Sequence, residues 1–168
     1  MSRRSVIRRL ALGAAAATSV VVLLSGCSAI SSLLGGETRD ESGAIVEGGD
    51  TDVFTLAEGD CIDDEATTEG EVSEVPTVPC SDPHTWEVYK NVTVTEDEYP
   101  GDSGIQDIAE EECMAAFETF VGVAYEDSVH EFNYYTPVSE GWDMGDRTIN
   151  CLIGGMEQTT GSLEGAAE

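Results

Sequence analysis

Residues 103–122 read SGIQDIAEEECMAAFETFVG, and this stretch decides the fold. Its apolar residues recur every three or four positions, at 105, 108, 109, 113, 116, 117, 120 and 121, which predicts an amphipathic helix with one buried face. Ser103 to Gln106 match a capping box at the start, and Gly122 stands where a C-terminal cap is expected. Cys113 is therefore predicted on the buried face.

The segments around this helix have the patterns of β-strands. Residues 86–94 alternate, which places Trp86, Val88, Val92 and Val94 on one face. Residues 53–56, 132–135 and 148–153 predict further strands, and residues 139–146 predict a turn or a short helical connection. Residues 72–78 contain Pro76 and are followed by Pro79, and these prolines favour an edge or irregular strand. We expect an α+β domain in which one main amphipathic helix packs on one face of a small antiparallel sheet.

The composition excludes one large class of function. The chain has 168 residues, with 34 Asp and Glu against 7 Lys and Arg, and a net charge of −27. This length favours a single domain. A protein that binds nucleic acid needs a basic face, and this chain has too few cations to build one.

The first 26 residues have the organisation of a secretory signal peptide. Residues 1–9 carry only positive charge, and residues 10–24 form an apolar run. As a helix this run is about 22 Å long, which is short of the roughly 30 Å hydrocarbon core of a bilayer. Arg3 and Arg4 are similar to the twin-arginine pattern, so both the general and the twin-arginine export routes remain open.

Leu24-Ser25-Gly26-Cys27 resembles the bacterial lipobox. The resemblance implies cleavage before Cys27 and attachment of diacylglycerol to its thiol, and two or more acyl chains such as palmitate form a stable anchor. The alternative is an ordinary signal peptide with an incidental cysteine. Because four of the seven cations lie in the first nine residues, the processed chain keeps three bases against 34 acids, a net charge of −31.

The chain is thus predicted to have three parts. Residues 1–26 are the signal peptide, residues 27–51 are the lipidated cysteine with a flexible acidic tether, and residues 52–168 are the folded domain. The tether is rich in Ser, Gly and acidic residues and has no hydrophobic period. This order predicts a protein held by lipid on the outer face of the cytoplasmic membrane.

Four cysteines remain inside the domain, an even number in an exported chain, which favours disulfides over a metal site. Cys113 and Cys151 are both predicted to face the core, whereas Cys61 and Cys80 are both predicted at loop edges. We therefore predict the pairs Cys61–Cys80 and Cys113–Cys151. In the chain-entropy model they stabilise the fold by about 3 and about 4 kcal/mol.

An ordered set of short motifs resembles the septum-formation family of actinobacterial envelope proteins. The motifs are Gly59-Asp60-Cys61, Val78-Pro79-Cys80, Pro83-His84, Glu87-Val88, Tyr99-Pro100-Gly101, Cys113, Gly145-Asp146-Arg147-Thr148, Cys151 and Thr160-Gly161-Ser162-Leu163. The resemblance covers residues 52–168. It implies an extracytoplasmic, disulfide-bonded, membrane-tethered module in septum biology, and it brings no reaction, cofactor or catalytic residue with it.

His84 is the first candidate site residue. It lies three residues after Ser81 and three before Glu87, so a nucleophile, a base and an orienting acid occur in one short segment. The alternative is a histidine that caps backbone groups or packs beside a disulfide. His84 and His130, each near carboxylates, also make a transition-metal site a candidate. The acidic stretches 60–65 and 96–102 offer oxygens to Ca²⁺ but lack the spacing of a calcium loop.

Arg147 and Trp142 are the other two candidates. Arg147 is interpreted either as a structural bridge to a carboxylate such as Asp143 or Asp146, or as an anchor for the carboxylate of a peptide or polymer. Trp142 is interpreted as a core residue or as an interface anchor.

These observations favour a non-enzymatic, lipid-anchored module of envelope or septum assembly that binds a protein or wall component and needs no cofactor. A polyanionic surface favours basic partners and repels anionic polymers and lipids. Two alternatives remain: an envelope hydrolase that uses His84, and a module that binds a divalent metal.

Overall fold

A computed structural model describes residues 36–64 and 72–168. The predicted signal peptide and Cys27 lie outside these residues. In chain order the elements are β1 (Thr38–Arg39), β2 (Ile45–Glu47), β3 (Gly49–Asp52), β4 (Cys61–Ile62), β5 (Glu74–Val78), β6 (His84–Thr93), α1 (Asp102–Val121), β7 (Glu131–Tyr135), α2 (Ser139–Met144) and β8 (Thr148–Thr159). Single 3-10 turns occur at Val53–Thr55 and Tyr125–Asp127. None of the helices within these two ranges is long and apolar enough to cross a membrane.

In the described part of the chain, six strands form one antiparallel sheet in the order β3-β5-β4-β6-β8-β7. Helix α1 packs against β6, β7 and β8, and β1 pairs with β2 in a separate hairpin. The predicted α+β class, with one main helix on one face of the sheet, is confirmed. The sheet is larger than predicted, because β8 is twelve residues long and supports a strand on each side.

Helix α1 presents the predicted apolar stripe to the sheet. Its buried residues are Ile105, Ala109, Cys113, Phe117 and Val121. Gly122 ends the helix in the left-handed conformation, with φ of 95°, and donates its N–H to the Glu118 carbonyl. The predicted capping box is wrong, because the helix begins one residue before Ser103 and its N-cap is Gly101, which has no side chain to cap with.

The opposite face of the sheet has a second core of its own. Its buried residues are Leu56, Ile62, Val75, Val88 and Leu152, and Val53, Val72, Trp86 and Tyr135 pack against them. The sheet is therefore apolar on both faces, which explains why β8 is nearly continuous in buried residues from Ile149 to Gly154.

A bulge in β6 overturns the predicted alternation of residues 86–94. Val88 pairs with Leu152, but Lys90 pairs with Cys151, so Tyr89 is an extra residue in the strand. As a result Trp86 and Val88 pack on the second core, whereas Val92 packs on the α1 side. Tyr89 also turns to the α1 side, where its hydroxyl donates to the Cys113 carbonyl at 2.6 Å.

Both predicted disulfides are confirmed. Cys61–Cys80 joins β4 to the loop after β5, with 5.2 Å between the Cα atoms. Cys113–Cys151 joins the middle of α1 to β8, with 5.4 Å between the Cα atoms, and both of these cysteines are fully buried.

The structure differs from the flexible tether predicted up to residue 51. Strand β3 pairs with β5, and Gly36 forms a parallel bridge with Asp50. Arg39 explains why this segment is structured, because its guanidinium makes a bidentate pair with buried Asp60, at 2.6 and 2.8 Å. The hydrogen bond to Asp60 raises the pKa of Arg39. A chain segment whose arginine pairs with a buried carboxylate is part of the fold.

Two other predicted strands are corrected. Residues 53–55 form a 3-10 turn, capped by the Asp52 carboxylate, which accepts the Phe54 N–H. β5 is an interior strand between β3 and β4 and not an edge. Pro76 is tolerated there because Val78 and Thr77 are the β5 residues that pair with β4, and just beyond them the Pro76 carbonyl accepts the Asp63 N–H.

A buried carboxylate holds the C-terminal segment against the sheet. Glu87, which is 2% exposed, accepts hydrogen bonds from the Ser162 hydroxyl at 2.6 Å and from the Leu163 N–H at 2.7 Å. Leu163 is consequently buried in the α1-side core.

Two neighbouring glycines of β8 provide a matched test of the close contact between β6 and β8. A Cβ at Gly154 would lie 1.9 Å from the Thr85 carbonyl oxygen, whereas a Cβ at Gly155 meets nothing within 4 Å. Gly154→Ala should lower the free energy of unfolding by about 3 kcal/mol, and Gly155→Ala should change it by less than about 0.5 kcal/mol. Urea unfolding of the two variants measures the difference. Equal stabilities would contradict this packing.

Candidate functional site

A groove of about 980 Å³ follows β7 and the residues just after it. Its floor is formed by residues 132–138. One wall is the N-terminal part of α1, and the other is formed by Val53, Phe54 and Val72. We call this feature the edge groove, because β7 is the last strand of the sheet.

The edge groove has access to both faces of β7. Phe132 and Tyr134 pack on the α1-side core, whereas Tyr135 packs on the second core. Consecutive residues of the strand all line the groove. Consecutive side chains of a strand point to opposite faces of the sheet, so a cavity lined by all of them lies along the backbone edge of that strand.

The charges of the edge groove have one sign. Asp102, Glu110 and Asp146 line it, and none of the described lining residues is Lys or Arg. Apolar side chains are also exposed there: Phe54 is 51% exposed and Met114 is 43% exposed. The groove is therefore both apolar and anionic.

Two tyrosines in the groove are neutral hydrogen-bonding groups. Burial and a hydrogen bond to the Asp102 carboxylate, 2.7 Å from the phenol oxygen, raise the pKa of Tyr99 to about 12. Burial and the charge of Asp64 raise the pKa of Tyr135 to about 12. Both phenols therefore keep their protons throughout the physiological pH range.

Arg147 and Trp142 lie together at one end of this surface. The guanidinium carbon is 3.6 Å from the centre of the Trp142 ring, which is a cation–π contact. Arg147 donates to the backbone carbonyls of Trp142 and Asp146, at 2.8 and 2.6 Å. The interpretation of Arg147 as a bridge to a carboxylate therefore does not hold within the described residues, where its hydrogen bonds go to carbonyl oxygens.

A second pocket of about 450 Å³ adjoins Arg147. It shares Phe54, Asp146 and Thr148 with the edge groove, and Met144, which is 73% exposed, also lines it. Trp142 is only 5% exposed and belongs to the core, so its part here is to support Arg147. The two pockets form one continuous surface, and among the described residues that line it Arg147 is the one Lys or Arg, at its end.

His84 lies far from this surface. It pairs with Thr159 at one end of the β6–β8 ladder, whereas Thr148, which follows Arg147, pairs with Thr93 at the other end. Thr148 and Thr159 are eleven positions apart, which corresponds to about 35 Å of strand. The structure therefore brings Arg147 and Trp142 together and leaves His84 apart from them.

The surroundings of His84 are those of a structural residue. It is fully buried, its Nδ1 lies 2.9 Å from the Asp82 carbonyl, and its Nε2 lies 3.4 Å from the Thr159 hydroxyl. Glu87 holds the C-terminal segment instead of orienting the imidazole. The arrangement of nucleophile, base and acid suggested by the sequence spacing is not formed by these contacts.

The candidate metal ligands are not assembled in the part of the chain that the structure describes. No group of three or more His, Cys, Asp and Glu side chains is placed to hold an ion in residues 36–64 and 72–168. His130 has one carboxylate near it, that of Glu168, at 3.9 Å. Asp60, from the acidic stretch considered for Ca²⁺, is paired with Arg39.

The residues that make the edge groove were not predicted from the sequence. One signal was available, since Met114 lies on α1 but outside the predicted apolar positions, and is exposed. Phe54 gave none, because residues 53–56 were predicted as a strand.

The groove tyrosines make stability sensitive to alkaline pH. A phenol whose pKa rises from 10 to about 12 on folding holds its proton more tightly in the folded state. Its contribution to the free energy of unfolding is therefore complete below pH 10 and is lost as the pH rises from 10 through 12. Urea unfolding should show this decline, and Tyr99→Phe and Tyr135→Phe should each reduce it. Absorbance titration that finds every tyrosinate formed near pH 10 would contradict the buried environment.

One family model, described as Septum formation, matches residues 27–165. No curated protein and no solved structure matches the chain. The matched range includes every strand and helix described above, both disulfides and the edge groove. The chain belongs to the septum formation family.

Proposed function

We propose that this protein is a non-enzymatic, lipid-anchored extracytoplasmic module that binds a protein or wall component during envelope or septum assembly. Membership of the septum formation family indicates a role in cell division or the cell envelope. The observation that carries the binding part of the proposal is the edge groove, an open, apolar and anionic surface at a sheet edge.

Burial favours this surface over a catalytic use of His84. A group that performs chemistry on a polymer or peptide must reach it, and His84 is fully buried with both ring nitrogens facing protein atoms. The edge groove, in contrast, exposes Phe54 and Met114 together with the acids Asp102 and Glu110. The side chains that a partner can reach are therefore those of the groove, which favours binding over catalysis by His84.

Charge supports a basic partner. The described cations other than Arg147 are neutralised: Arg39 pairs with Asp60 and Glu37, and Lys90 pairs with Glu58. The remaining acids give the processed chain its net charge of −31. Long-range attraction of a basic partner, and repulsion of anionic wall polymers and lipids, follow from this field.

The proposed anchor would hold the domain close to the membrane. The first strand begins at Thr38, so ten residues separate it from Cys27, and they span at most about 35 Å when fully extended. The family match itself begins at Cys27. The partner would therefore be one that lies near the outer surface of the membrane.

Cys27→Ala tests the anchor. Without the thiol no thioether to diacylglycerol forms, so the protein should move from the membrane fraction to the soluble fraction. Ser28→Ala, which changes the neighbouring residue only, should remain with the membrane. Immunoblots of fractionated cells measure the distribution. If Cys27→Ala and the native protein fractionate alike, the lipid anchor is wrong.

Photo-crosslinking tests the binding surface. A photoreactive residue at position 110, in the edge groove, should capture a discrete partner in cells, and the same residue at the exposed position 157 on β8 should not. The capture should decline as salt is added to envelope preparations, because screening weakens attraction between exposed charges. Equal capture from both positions, or from neither, would contradict a binding role for the groove.

A further inference from the structure

We propose that β7 receives an extended, basic segment of the partner as an additional strand of the sheet. The inference rests on the proposed binding function and deepens it, because it states how the partner is held and what its sequence is like. Strand addition gives affinity through backbone hydrogen bonds and specificity through alternate side chains.

The two edges of the sheet differ in how they are protected. At the β3 edge, Gly36 forms a parallel bridge with Asp50, so the preceding chain covers part of that strand. At the β7 edge, no described residue pairs with the side of the strand that faces away from β8. Unpaired strand edges are sites where another chain adds.

One hydrogen bond shows which backbone groups face outward. The Tyr134 N–H donates to the side-chain oxygen of its own neighbour, Asn133, at 2.8 Å and so points away from β8. Because backbone groups alternate along a strand, the N–H of Phe132 faces the same way. The Asn133 side-chain oxygen thus accepts from the Tyr134 N–H, a donor that would otherwise bond to a carbonyl of an added strand.

The two walls of the groove differ, and this difference predicts a sequence pattern. The α1 wall carries the carboxylates of Asp102 and Glu110, whereas Val53, Phe54 and Val72 make most of the other wall apolar, with Asp146 at the end of that wall beside Phe54. Successive side chains of a strand point to opposite sides. A segment lying along β7 would therefore place every second side chain against acids and the others against an apolar surface. The matching segment alternates basic and apolar residues.

A second copy of this chain is a poor match for the groove. Two processed chains of charge −31 repel each other. Of the three described cations, Arg39 and Lys90 are already paired with carboxylates. The occupant that the charges favour is a different, basic protein.

The test uses the processed, lipidated protein in detergent and a synthetic peptide of alternating lysine and valine. Fluorescence anisotropy at low salt should detect binding of this peptide and no binding of a glutamate–valine peptide. Hydrogen exchange should show new protection at Phe132 and Tyr134 when the lysine–valine peptide is bound.

Backbone methylation distinguishes strand addition from simple charge attraction. In an added strand the N–H groups of alternate residues face β7, so N-methylation of either the lysines or the valines should weaken binding about tenfold or more. N-methylation of the other set should leave binding nearly unchanged. Charge attraction alone would treat the two methylated peptides alike.

Two charge reversals provide the matched protein controls. Glu110→Lys alters the acidic wall at an exposed helix position and should weaken peptide binding, whereas Glu157→Lys makes the same charge change away from the groove and should not. Circular dichroism and the melting temperature verify that both variants are folded.

Three results would overturn the inference. The first is failure of the lysine–valine peptide to bind, and the second is an equal effect of the two methylation patterns. The third is a dimer, detected by sedimentation, that Glu110→Lys dissociates, because the occupant of the groove would then be a second copy of this chain. If position 110 still crosslinks to a partner in cells, the binding function stands and only strand addition fails. If the peptide does not bind and position 110 does not crosslink to a partner, both strand addition and the binding function are wrong.

Discussion

The fold depends on the attachment of α1 to β8. Cys113 lies at the middle of the buried helix face and Cys151 in the longest strand, and the bond between them fixes the helix over β6 and β8. The Tyr89 hydroxyl bonds to the Cys113 carbonyl at the same point. Because the helix is fixed there, Phe117 and Tyr125 pack on Phe132 and cover one face of β7, whereas the outer edge of the strand remains open. The groove is a consequence of where the helix is held.

The buried carboxylates Asp60 and Glu87 of this acidic chain both have hydrogen-bonding partners. Asp60 is paired with Arg39, and Glu87 accepts two hydrogen bonds from the C-terminal segment. A buried charge without such partners would cost several kcal/mol, about as much as the net stability of a small domain. Both partners come from segments at the ends of the described chain, so these carboxylates also fasten the termini to the sheet. The other acids remain exposed and give the surface its field.

Much of the fold could be predicted because local patterns determine it. The helical spacing of Ile105 to Val121 placed Cys113 in the core, and the alternation of Ile149 to Ile153 placed Cys151 there too, so the pairing of the cysteines followed. The errors have physical causes. Alternation assumes a regular strand and therefore missed the bulge at Tyr89, and the low hydrophobicity of residues 36–51 hid an ion pair whose partner, Asp60, lies 21 residues further along the chain.

The sequence by itself determined the helix, the main strands, both disulfides, the acidity of the surface and the family resemblance, since each is a property of local spacing or of composition. Of the candidate residues His84, Trp142 and Arg147, it could not tell which lie together. The tertiary structure decided this by placing His84 and Arg147 at opposite ends of the β6–β8 ladder. It alone produced the edge groove, because Phe54, Glu110 and Tyr135 belong to three distant segments that meet only when the sheet ends at β7 and the helix is fixed beside it.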